Sequence, residues 1–128
     1  MDYERLGESY KATLEQALVE FDSFSLLWAR RLGHSKENSS MHEWQEQLGP
    51  YFIEEAKVKQ HRGLKLKGGT ARQRFYRVCP GSIAILAKAD NAFEFSGLGI
   101  PEKLTFYKAG KVAFRADAHT ETIEHFNV

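Results

Sequence analysis

KLTFYKAGKVAFRADAH, residues 103–119, alternates in period two on either side of a tight turn. Leu104 and Phe106 fall on one side of a first strand; Val112, Phe114 and Ala116 fall on one side of a second. Ala109-Gly110 supplies the turn between them, with a glycine that takes positive φ without steric cost. An antiparallel hairpin of this kind needs a sheet to join and a layer to cover its apolar face. The rest of the chain is read for that layer.

Upstream, CPGSIAILAKA (residues 79–89) predicts a short helix with Pro80 at its first position and Ile83, Leu86 and Ala87 on one face. SGLGIP (96–101) reads as a loop. Before it, YFIEEAKVKQ (51–60) alternates in part, LKLK (64–67) alternates strictly, and RQRFYRV (72–78) is rich in β-type residues. KGGT (67–70) is a glycine-rich turn between the last two. Together they predict a twisted β-meander or long hairpin.

The N-terminal part predicts helices. Leu14, Ala17, Leu18 and Phe21 follow the i, i+3, i+4, i+7 rule, with Ser9 as N-cap and Glu15, Gln16, Glu20 and Asp22 on the other face. FSLLWARR (24–31) can continue that helix or form a strand. Ser23 and Ser25 are weak helix residues, which favours an inner strand. GHSKENSS (33–40) reads as a loop. Ser40 then caps a helix over Met41–Leu48, with Glu43 completing a capping box and Met41, Trp44 and Leu48 on one face. Gly49-Pro50 stops it. The expected fold is a single α+β domain over residues 1–128: N-terminal helices packed on a mainly antiparallel sheet with a C-terminal β-hairpin.

Composition agrees with a folded domain. Of 128 residues 42% are hydrophobic, and nine Phe, five Tyr and two Trp supply bulk for a core. A chain of this size buries roughly two-thirds of its unfolded surface. No apolar run approaches the length of a membrane helix, and the polar, acidic start MDYERLGESY is unlike a secretory signal. A lone cysteine, Cys79, cannot form an internal disulfide. A cytoplasmic location is expected.

The net charge of +1 conceals a segregation. Residues 1–56 hold eleven acids and five bases, residues 57–77 hold eight bases and no acid, and residues 78–128 are near balance. A two-stranded ribbon carrying Lys65, Lys67, Arg72, Arg74 and Arg77 suits phosphates, or carboxylates that arginine binds with two parallel hydrogen bonds. Phe75 and Tyr76 could stack on bases. The plain alternative is a solvated face that balances the acidic half of the same fold. GLKLKGG (63–69) is neither a phosphate-binding loop nor a KH-type loop.

Catalytic patterns are weak. HTETIEH (119–125) offers His119, Glu121 and His125, short of a closely spaced ligand triplet. Cys79 at a helix start could be an activated thiol with His119 as base, yet a lone cysteine is more often a small buried hydrophobe. No catalytic residue, metal ligand or cofactor is expected.

YRVCPGSIAILAKADNAF (76–93) followed by GIPEKLTFYKAGKVAFRADAH (99–119) resembles small uncharacterised bacterial α+β proteins of toxin-immunity type. The shared pattern is a Pro-Glu-x-Leu entry into a hairpin and a His after it: Pro101, Glu102, Leu104, Gly110 and His119. Thr120 departs from it, standing where those proteins carry Glu. The resemblance implies a non-enzymatic binding protein that neutralises a cognate nuclease-type toxin, a monomer or weak homodimer without a membrane role. Either Lys65, Lys67, Arg72, Arg74 and Arg77 would meet acids on the toxin, or Glu15, Glu20, Glu43 and Glu46 would meet its cationic groove. Trp44 or Phe93 would be an aromatic anchor. The alternative function is nucleic-acid binding by the ribbon 57–77.

Overall fold

Asp2 starts the first helix, α1 (Tyr3–Glu20). Its carboxylate accepts the Arg5 amide at 3.1 Å and adds negative charge at the positive end of the helix dipole. Ser9, expected as the cap, lies inside the helix, where its carbonyl accepts from the Thr13 hydroxyl at 3.0 Å. The buried stripe is therefore Tyr10, Thr13, Leu14 and Ala17. Leu18, expected on that stripe, is 45% exposed. The Tyr10 hydroxyl fixes this rotation by donating to the Leu86 carbonyl.

The computed structural model describes residues 2–28, 35–58, 60–61, 64–65, 71–96 and 101–128. After α1 come β1 (Ser23–Trp28), α2 (Ser35–Leu48), β2 (Phe52–Val58), β3 (Gln60–His61), β4 (Leu64–Lys65) and β5 (Ala71–Arg77). A short helix α3 (Pro80–Leu86) leads to β6 (Glu102–Lys108), β7 (Lys111–Asp117) and β8 (Thr122–His125). The fold is α+β, with a six-stranded antiparallel sheet in the order β2-β5-β1-β6-β7-β8. The segment 24–28 is an inner strand, with β5 on one side and β6 on the other. Arg30 and Arg31 lie outside the described residues.

Two expectations are corrected. Residues 35–40 are helical rather than loop, so α2 begins before Ser40 and Ser40 is internal. The Ser-Lys-Glu-Asn run lacks an apolar period, and tertiary packing at the Leu48 end overrides local preference. Secondly, the basic strand β5 pairs with Phe52–Val58, not with the LKLK segment. Leu64–Lys65 pairs instead with Gln60–His61. Both pairings are antiparallel. The KGGT turn and Lys67 lie outside the described residues.

One face of the sheet carries the core. Phe24, Leu26 and Trp28 of β1 meet Tyr76, Leu104, Phe106, Phe114 and Ala116 from neighbouring strands. Tyr10, Leu14 and Ala17 of α1, Leu48 of α2, and Ile83 and Leu86 of α3 cover them. Phe95, after a 3-10 turn, takes the rings of Tyr10 and Trp44 at 6.2 and 5.7 Å. Ala87, expected on the buried face of α3, is exposed. Ser25, Leu27, Gln73, Phe75, Thr105 and Tyr107 point to the other face, and none belongs to the core cluster.

The β6–β7 hairpin forms as expected, with Ala109 at φ 50° and Gly110 at φ 80°. Asp22, just before β1, accepts the Ala109 amide at 2.6 Å and so ties this turn to the end of α1.

Candidate functional site

Two arginines of the basic strand are paired from within the sheet. Arg72 and Arg74 share a face of β5, as the parity of the sequence requires. Opposite them on β2, Glu55 accepts from both: Arg72 Nη1 at 2.7 Å and Arg74 Nε at 2.8 Å. Partial burial pushes the Glu55 carboxyl up, but the hydrogen bonds and charges of Arg74 and Arg72 outweigh it and hold the group below its ordinary value. Arg74 is confined further by aromatic faces, its guanidinium 5.5 Å from the Phe52 ring and 5.9 Å from the Trp28 ring. Arg77 lies 5.5 Å from the Tyr51 ring and is exposed. Lys65 belongs to β4, and Lys67 lies outside the described residues.

The aromatics of the strand do not form a stacking platform. Tyr76 is 1% exposed and stacks on Phe24 at 5.3 Å. Phe75 is half-buried on the opposite face, 5.6 Å from Tyr107. Bases cannot reach the Tyr76 face.

The acids of the two helices are open to solvent. Glu15, Glu20, Glu43 and Glu46 are exposed. Their polar contacts among the described residues are weak ones: Gln16 donates to Glu20 at 2.8 Å, and His42 sits 3.2 Å from Glu46. Residues 2–22 hold six acids and two bases. Between Glu15 and Glu20, Leu18 is 45% and Val19 is 85% exposed. Sequence reading missed this apolar pair. A helical wheel aligned on the Tyr10 stripe would have placed Val19 outward. Trp44 is half-buried against Phe95, and Phe93 is half-buried beside Asn91.

The catalytic readings are not assembled. Cys79 follows β5, whose Arg77 pairs with Ser23 at the start of β1. His119 Nε2 lies 3.3 Å from the carboxylate of buried Glu102, which pairs with Leu27 near the other end of β1. Four residues of strand, about 13 Å, separate the two ends, so His119 is no base for Cys79. His125 packs edge-on to Phe114 at 5.3 Å, while His119 turns to Glu102. Among the described residues no group of three or more His, Cys, Asp or Glu is placed to hold a metal ion.

Among the described residues no helix is long and apolar enough to cross a membrane. No protein-family model, curated protein or solved structure matches this chain.

Proposed function

We propose that this chain is a non-enzymatic, cytoplasmic binding protein of the bacterial immunity type. It neutralises a cognate nuclease-type toxin by setting its acidic helical surface against the toxin's cationic groove. One observation carries the reading: exposed Glu15 and Glu20 flank exposed Leu18 and Val19 on α1, whereas Glu55 occupies Arg72 and Arg74 on the basic strand. Carboxylates spaced along a helix imitate phosphates, and the apolar pair between them adds burial that a nucleic acid would not reward. Opposite fields on the two partners speed association and disfavour wrong ones.

Nucleic-acid binding through residues 57–77 would find Arg72 and Arg74 already engaged by Glu55 and would lose Tyr76 as a stacking surface. It is the competing outcome of the test.

The experiment is co-expression with the products of the neighbouring genes. The chain should restore growth of cells that express one of them and should co-elute with it. A variant carrying E15K, E20K, E43K and E46K should do neither. The reading fails if no neighbour is toxic or none co-elutes, or if the protein instead retards tRNA or duplex DNA at low salt.

A further inference from the structure

The sheet face turned away from the core carries a cavity of about 220 Å³ whose described lining contains two cations and no acid. Lys103 and Arg115 stand at it with Gln73, Thr105 and Tyr107, and Leu27, Val58 and Val112 form apolar walls. We propose that it binds a small organic carboxylate with a hydrocarbon body, independently of the acidic helical surface.

The polar groups point to an acceptor. Gln73 Nε2 donates to Ser25 Oγ at 3.1 Å and to Tyr107 Oη at 3.2 Å, which uses both of its N–H groups. Ser25 and Tyr107 share one further bond at 2.8 Å, which uses one of their two hydroxyl protons. Ser25 is 1% exposed and sits beneath the other two. Either hydroxyl can donate in that bond, and where Ser25 donates the phenol proton is left for a ligand. The cavity therefore presents a hydroxyl, an ammonium and a guanidinium.

Lys103 is placed there by a backbone irregularity. The β1–β6 register shifts between Ser25 and Leu27, and Lys103 opposite the shift has φ 55°. A bulge of this kind re-aims a side chain, and a left-handed non-glycine residue marks strain that the surrounding sheet must hold. Arg115 has one ion pair among the described residues, with Glu124 at 3.4 Å on a half-exposed side chain. Its guanidinium also lies 5.4 Å from the Phe126 ring, and the N–H groups not turned to Glu124 can serve a ligand. Three aliphatic walls favour a carboxylate with an apolar tail over a hydrated inorganic anion.

The test is titration of the 15N-labelled full chain with hexanoate, hexylammonium and inorganic phosphate. Hexanoate should shift the amide signals of Leu27, Gln73, Thr105 and Tyr107 saturably, and the other two should not. Lys103→Asn, which keeps a residue tolerant of positive φ, and Arg115→Gln should each weaken hexanoate at least tenfold. Tyr107→Phe should weaken it less. Equal shifts with hexylammonium, saturation by phosphate alone, or no shift with hexanoate overturns the proposal. These wild-type comparisons decide even if a variant fails to fold.

Discussion

Glu55 Oε1 accepts from Arg74 Nε at 2.8 Å across the β2–β5 pair. Its other oxygen holds Arg72, so one carboxylate engages two of the eight cations in residues 57–77. Replacing it tests how far this contact shapes both stability and surface charge. Glu55→Gln should lower stability at neutral pH by about 1 kcal/mol, the upper range for a partly exposed pair. The group's pKa is lower folded than unfolded, so its contribution is present above 4.5 and is lost as pH falls through the folded value. The gap between wild type and variant should therefore close in acid. The variant should also be retained longer on heparin, because Arg72 and Arg74 are released. Denaturant curves that superimpose at pH 7 would contradict this.

Tyr76 predicts the alkaline limit. Burial pushes its phenol up to about 12, with the nearby Arg74 charge acting in the opposite direction. Unfolded, the phenol ionises near 10, so stability is intact below that value and is lost as pH rises from 10 towards 12. Up to about 2–3 kcal/mol should disappear over this interval. Tyr10 is raised for the same reason and acts in the same direction. Phenolate absorbance should appear together with loss of the circular dichroism signal, and Tyr76→Phe should move that transition to higher pH. Ionisation of all the tyrosines near 10 with the fold intact would refute it.

The β6–β7 turn is under-optimised. Ala109 occupies a left-handed conformation at φ 50°, held by Asp22. Ala109→Asn should stabilise the protein by about 0.5–1 kcal/mol, since Asn tolerates that region and Asn-Gly suits the turn. Gly110→Ala should cost about 1 kcal/mol, because a residue with a β-carbon is strained at its φ of 80° although the space around it is open. Thermal melts of the two variants should shift in opposite directions. A rise for Gly110→Ala would show that the turn rearranges.

Cys79 should be more reactive than an ordinary thiol. Partial burial raises its pKa, but the Ser82 amide and hydroxyl, the Gly81 amide and Arg77 together bring it below the usual value. Its rate of alkylation by iodoacetamide should reach half-maximum below pH 9, and Ser82→Ala should move that midpoint upward. A midpoint at or above 9 in the wild type would contradict the geometry.

Local signals made part of the fold legible. The β6–β7 hairpin declares itself through alternation and an Ala-Gly turn, and α3 through Pro80 and the Ile83–Leu86 spacing. β2 is hard to read because it is an edge strand exposed over Phe52–Lys57. Period-two burial has no meaning there. Its pairing with β5 spans a long sequence separation that no local pattern encodes. Glu55 counts with the acidic N-terminal part in a tally along the chain, yet the fold sets it beside Arg72 and Arg74. Val19 was hidden by a helix phase anchored on Leu18, when burial of the Tyr10 hydroxyl against Leu86 sets the true phase. The cavity at Lys103 is not legible because its lining comes from five strands and the bulge beside Lys103 has no local signal.

The central claim is that binding is governed by the acidic helices and not by the basic strand. The direct measurement is affinity for the co-eluting neighbour across a salt series, for wild type and two charge-reversed proteins. The account predicts that E15K/E20K/E43K/E46K abolishes the complex, while R72E/R74E/R77E, read against a check of its folding, leaves affinity within a few-fold. Loss of binding in the folded arginine variant, with the glutamate variant unimpaired, would contradict it.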